Sequence, residues 1–157
     1  MKIRMFIILF TFLSRAAFSV ESGKLLIRGP IERRISLVVT PEAIASALDL
    51  TTTQSDLKVA TLNERSNSKT GYIVSVTSAN LGKMKMLDGA EVFSYTMKLD
   101  GAPVGLSTST GSIFTRSTTA TPVNINRNVT ISYNGKAIEN MTEGIYSDTV
   151  TFNIAAR

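Results

Sequence analysis

The 157-residue chain has no cysteine, no histidine and no tryptophan. Without cysteine there is no disulfide staple, no thiolate nucleophile and no thiolate-bound metal, so stability must come from packing or from a partner. Without histidine the usual general base near neutral pH is missing, and with it the commonest zinc ligand and the orienter of a serine nucleophile. The 12 acidic residues are scattered. Neither Asp88 with Glu91 nor Asp56 with Glu64 has the spacing of a calcium loop, and no glycine-rich phosphate loop is present. Lysine can replace histidine beside a serine, but Lys83, Lys85 and Lys98 occupy polar positions of alternating segments, where a solvated face is expected. The reading is a protein that is not an enzyme, with no cofactor and no small-molecule substrate.

Long apolar runs are also scarce. One stands at the start, Met5 to Leu13, behind Lys2 and Arg4. It is shorter than the ~20 residues needed to span a bilayer, and Ala17 and Ser19 supply small residues ahead of a cut. Residues 1–19 are read as a signal peptide for export. Once Lys2, Arg4 and Arg15 are removed with it, 14 basic and 12 acidic residues remain, net +2. Such a balance lacks the concentrated basic face of a nucleic-acid binder. Arg28, Arg33 and Arg34 form the one local cluster, read as a solvated strand edge.

What the chain does have is alternation with a period of two. Ile35, Leu37 and Val39 share a face, as do Leu57 and Val59, with Ala60 and Leu62 opposite. Tyr72, Val74 and Val76 follow, then Phe93, Tyr95, Met97 and Leu99, then Val129, Ile131 and Tyr133, and last Val150, Phe152 and Ile154. Threonine, valine and aromatic residues fill these runs, as pleated half-buried surfaces favour. Phe93, Phe152 and the four tyrosines are expected in the core. Asp88-Gly89, Asp100-Gly101 and Asn134-Gly135 suit tight hairpins. Thr40 to Leu50 is the exception, with Pro41 at a helix start and Ile44, Ala47 and Leu48 on one helical face, so one short helix or helical turn is expected. Ser107 to Thr121 holds ten Ser or Thr and reads as a long exposed loop, with Ile113 and Phe114 as an edge strand or anchor. Seven or more short strands with one minor helix predict an all-β, immunoglobulin-like antiparallel sandwich.

The closing stretch EGIYSDTVTFNIAAR resembles the last strand of bacterial pilus subunits assembled by the chaperone–usher route. It is most similar to the alternate-pathway and spore-coat-U-like pilins, through Gly144, Tyr146, Asp148, Thr149 and Val150. The stretch ISLVVTP (Ile35 to Pro41), followed by a short helical segment, is similar to the start of alternate-pathway subunits. Many spore-coat-U-like domains carry cysteines, and here the chain departs from them.

The resemblance implies a sandwich that lacks one strand and is completed by donor-strand complementation, a form of β-augmentation. Its partners would be neighbouring pilus subunits, a periplasmic chaperone and an outer-membrane usher. The protein would serve adhesion or biofilm formation, in the periplasm in transit and then on the surface of a Gram-negative cell. A donor segment should be short, near the mature N-terminus and apolar at alternate positions. In residues 20–31, Leu25, Ile27, Gly29 and Ile31 share one parity. The alternatives are ISLVV as donor, or both runs as strands of the domain itself, residues 32–157. By the same logic Val150, Phe152 and Ile154 would border the groove, and the carboxylate of Arg157 would meet a basic anchor on the chaperone. A monomeric secreted sandwich that binds a glycan or protein ligand is the other function compatible with the fold.

Overall fold

The computed structural model describes residues 21–117 and 121–157, and the signal-peptide reading of residues 1–19 falls outside them. The chain divides into a unit ending at Ile31 and a second comprising Glu32–Arg157. In the first, residues 21–31 carry no strand or helix, and Leu25, Ile27 and Ile31 are 84%, 85% and 90% exposed.

The second unit is built almost wholly from antiparallel strands: β1 (Ile35–Pro41), β2 (Gln54–Ser66), β3 (Tyr72–Ser78), β4 (Lys83–Met86), β5 (Val92–Ser94), β6 (Thr96–Leu99), β7 (Ala102–Val104), β8 (Ser112–Arg116), β9 (Val123–Tyr133), β10 (Tyr146–Ser147) and β11 (Val150–Ala156). One sheet has the order β1-β2-β9-β6-β7, a second β11-β3-β8, and a small third β10-β4-β5. The fold is therefore an all-β sandwich. The expected helical segment is a single 3-10 turn over Ala43–Ser46, and a second such turn over Ile138–Asn140 has no helical pattern in the sequence. Among the described residues no helix is long and apolar enough to cross a membrane.

The alternating positions make the core. Leu62, Val74, Val76, Leu99 and Val129 are almost wholly buried, and Phe93 meets Tyr133 edge-on at 5.7 Å between ring centroids. Tyr72 and Tyr133 are buried as expected, whereas Tyr95, Tyr146 and Phe152 are only half-buried. Strict alternation fails at the end of β1, where Val39 is exposed like Val38, and in the middle of β2. Val59 and Ala60, neighbours in sequence, are both buried. The register of β2 on β9 slips between Lys58 and Ala60, and such a bulge turns two consecutive side chains inward.

Two expected continuous strands are broken. Phe93 to Leu99 divides at Tyr95 into β5 and β6, which belong to different sheets. Tyr146 to Ile154 divides at Asp148 and Thr149 into β10 and β11. Of the three Gly dipeptides, Asp100-Gly101 has positive φ at both residues (54° and 81°) and closes the β6–β7 hairpin, as a tight turn with matching twist requires. Asp88-Gly89 lies in a longer connection between β4 and β5, without positive φ. Asn134-Gly135 closes no hairpin, since β9 leads into the second 3-10 turn. Gly135 is instead a point of close approach, where a β-carbon would collide with the main chain of Thr51 and Thr52. The Ser/Thr-rich stretch contributes the edge strand β8, carrying Ile113 and Phe114.

Candidate functional site

β1 and β11 are both edge strands, each paired on one side only. β1 hydrogen-bonds to β2 and β11 to β3, and each has a free outer edge. The two lie near one another across the seam between the sheets without forming a ladder. Along that seam opens a groove of about 640 Å³. Its floor is apolar: Val59, Met97, Val129 and Ile131 from the large sheet, with Val150 and Phe152 of β11 on one wall. Leu48 and Leu50, from the segment after the first 3-10 turn, form the other wall with Pro41. Val150, Phe152 and Ile154 pack against the core yet stay half-exposed, as inward-facing residues do when nothing covers their edge.

The sequence-derived candidates occupy different parts of this arrangement. Val150 and Phe152 line the groove, whereas Ile154 lies on the same face of β11 beyond it. Arg157 stands past the far end of β11: its N–H donates to the Gly71 carbonyl at 3.3 Å, and its main-chain oxygen accepts from Thr70 Oγ1 at 2.7 Å. Ile35–Pro41 is the first strand of the domain, in register with β2 from Ile35 opposite Ser66 to Pro41 opposite Ala60. Leu25, Ile27, Gly29 and Ile31 lie in the first unit, whose described residues 21–31 carry no strand. The arginine cluster is on no strand edge, because Arg28, Arg33 and Arg34 all precede β1.

Asn67 marks where the domain begins. Its Oδ1 accepts from the Arg34 N–H at 2.6 Å, its N–H donates to the Arg34 carbonyl at 3.1 Å, and its Nδ2 donates to the Glu32 carbonyl at 2.9 Å. Glu32 to Arg34 are thereby held extended beside the end of β2.

The mouth of the groove is fixed by Asp148. Its Oδ2 accepts from the hydroxyls of Ser78 and Tyr95, each at 2.6 Å, and its Oδ1 from the N–H groups of Asn80 (3.0 Å) and Thr149 (2.8 Å). Burial, followed by the bond to Asp148, pushes the Tyr95 hydroxyl's pKa upward, so it remains a proton donor. Tyr146 donates to Glu91 Oε2 at 2.7 Å, a bond that lowers the Glu91 pKa. Gly144 leaves room for Met86, whose side chain would meet a β-carbon there. The Gly, Tyr and Asp of the closing stretch thus lock β11 to the β3–β4 turn and to the small sheet.

A second polar cluster is buried. Glu64 is fully enclosed, accepting from Tyr72 Oη at 2.8 Å and Arg127 Nε at 3.0 Å, with Arg116 Nε at 3.7 Å. Arg127 continues to Asp100 at 2.8 Å. From the sequence Asp148 stands only as a member of the closing motif, and Glu64 only as a cation ligand of the wrong spacing; neither is given a structural role. Both carried a signal: Asp148 interrupts an alternating run, and Glu64 stands on the inward parity of Leu62.

Among the described residues no group of His, Cys, Asp and Glu is arranged to hold a metal ion. The geometry is that of a largely apolar cleft walled by the edge strand β11 and closed at one side by Pro41, Leu48 and Leu50. Comparison with protein-family models and with curated proteins finds no match.

Proposed function

We propose that this protein is a structural subunit of a surface fibre, polymerised by donor-strand complementation. The observation that carries the reading is an apolar groove walled by the edge strand β11 and reaching the end of a second edge strand, β1, at Pro41. In the same chain an exposed segment outside the sandwich bears Leu25, Ile27 and Ile31 at alternate positions. An inserted strand would satisfy the unpaired N–H and C=O groups of the β11 edge and cover the half-exposed side chains of that strand. An isolated open edge is an aggregation hazard, so the groove needs an occupant at every stage.

On this reading the chain is exported by the signal at residues 1–19 and held by a periplasmic chaperone that lends a strand. It is passed to an outer-membrane usher and built into a pilus, on the surface of a Gram-negative cell, that serves adhesion or biofilm formation. Residues 20–31 act as donor to the next subunit, with Leu25, Ile27, Gly29 and Ile31 facing its groove. Val150, Phe152 and Ile154 receive the strand.

The test is Ile27→Asp in the full chain. A charge buried without a partner costs several kcal/mol, so SDS-resistant multimers that collapse on boiling are expected from the wild type and not from the variant. Both proteins should keep the same β-rich circular dichroism spectrum. An unchanged ladder from the variant would remove residues 20–31 as the donor.

A further inference from the structure

The groove and the first residues of the domain, Glu32 to Arg34, lie at opposite ends of the sandwich. The groove is lined by Pro41, by residues 45–48 and by residues 144–150, so it opens where β1 ends and β11 begins. Glu32 to Arg34, held by Asn67, stand at the other end, where Arg157 meets Thr70 and Gly71.

These two ends carry opposite charge. At the Asn67 end Arg33, Arg34, Arg65 and Lys69 are exposed, and none forms an ion pair among the described residues. Glu64, the one acid enclosed there, is already engaged by Arg127 and Arg116, which leaves Glu32 and the Arg157 carboxylate as the exposed acids, the latter offset by the Arg157 side chain. At the groove, Asp148 is part of the lining, and Glu42, Asp49 and Glu143 are each next in the chain to a lining residue (Pro41, Leu48 and Leu50, and Gly144). Of these, Glu42 is paired with Lys58, and the other three have no ion pair among the described residues. Bonds from Thr51 and Thr52 lower the Asp49 pKa and keep it ionised. Lys58 neutralises Glu42 alone, and three further lysines of this region are directed elsewhere. Met84 faces the groove, so Lys83 and Lys85 on either side point away from it, and Lys136 sits over the Phe93 ring at 5.3 Å.

We infer that the two ends form a complementary interface between successive copies of the chain, the Arg33–Arg34 end of one docking on the Asp49–Glu143 end of the next. The inference rests on the donor-strand reading and extends it. Only Glu32 separates Ile31, the last donor position, from Arg33. A strand seated with Ile31 at the Val150 end of the neighbour's groove carries the arginine pair directly onto that acidic rim. Such a contact is heterologous, joining two different patches, and propagates as an open fibre. Rim charges of this kind act mainly on the rate and correctness of encounter. Here they would favour the acidic mouth over a second basic end, where like charges repel.

The experiment is a charge swap in the full chain, with multimer formation followed by light scattering and unheated SDS gels. Arg33→Glu with Arg34→Glu, or Asp49→Lys with Glu143→Lys, is expected to slow assembly on the order of tenfold at low salt and far less at high salt. Both pairs reversed in one chain restore complementarity and should recover a rate close to the wild type. All four positions are solvent-exposed, and circular dichroism checks that each variant folds. Assembly by the four-fold variant as slow as that of either pair alone overturns the inference, as does a wild-type rate indifferent to salt. Ile27→Asp, run in parallel, separates the two readings. Loss of its ladder while the charge swaps have no effect sinks the interface and leaves the donor strand standing. A persistent ladder with a working charge swap does the reverse.

Discussion

The Tyr95 hydroxyl donates to Asp148 Oδ2 at 2.6 Å, joining the point where the chain passes from the small sheet into the large one to the start of β11. Because Asp148 also takes hydrogen bonds from Ser78, Asn80 and Thr149, one carboxylate positions the strand that borders the groove. Hydrogen bonds to a charged acceptor contribute about 1.5–3 kcal/mol each. Asp148→Ala should therefore lower stability by roughly 2–4 kcal/mol, since water replaces some of these partners. Tyr95→Phe should cost less, about 1–2 kcal/mol. Urea denaturation of both variants checks the order.

Glu64 gives a sharper result. Removing a fully buried carboxylate deprives Arg116 and Arg127 of their shared partner, leaving Arg127 with Asp100 alone, at a cost of about 3–5 kcal/mol. Glu64→Ala is expected to unfold at clearly lower urea than the wild type. Replacing Glu64, Arg116 and Arg127 together by apolar residues of similar volume should recover most of the loss. If the triple replacement is as unstable as the single one, the cluster contributes by packing rather than by charge.

The same cluster predicts an alkaline limb of stability. Tyr72 normally ionises near 10.0, and in the fold burial, then the bond to Glu64, pushes its pKa up to about 12. Between those values the unfolded chain has released the proton and the folded chain has not. The stabilisation is thus complete below pH 10 and is lost as pH rises toward 12. Tyr72→Phe should flatten this limb in chemical denaturation measured across that range, while Tyr95, also shifted upward, leaves a residual slope.

A donor strand offered in trans should rescue the variant that cannot donate. Ile27→Asp protein, titrated with a synthetic peptide of residues 23–31, should gain about 2.7 kcal/mol when the peptide is at a hundred times its Kd. A scrambled peptide should leave thermal unfolding unchanged. Phe152→Asp in the same protein should abolish the gain, because it places a charge on the groove wall.

Much of the sandwich was legible in the sequence because its causes are local. Alternation at Tyr72, Val74 and Val76 or at Val129, Ile131 and Tyr133 dictates which side chains a pleated strand turns inward, and positive φ at Asp100-Gly101 dictates a tight turn. The misread features depend on neighbours that are distant in sequence. The bulge that buries Val59 beside Ala60 is set by register against β9, and the break at Tyr95 by a change of sheet. The role of Asp148 depends on Ser78, Asn80 and Tyr95, which come together only in the fold.

By itself, then, the sequence determined an all-β chain that has no cysteine or histidine to offer, since the first follows from a period of two and the second from residue types. Only the tertiary structure decided that Ile35–Pro41 belongs to the domain, that β1 and β11 end their sheets with free edges, and that a groove lies along the seam between them. Which backbone groups lack partners is a property of how strands pair across the whole sandwich, and no stretch of sequence carries it alone.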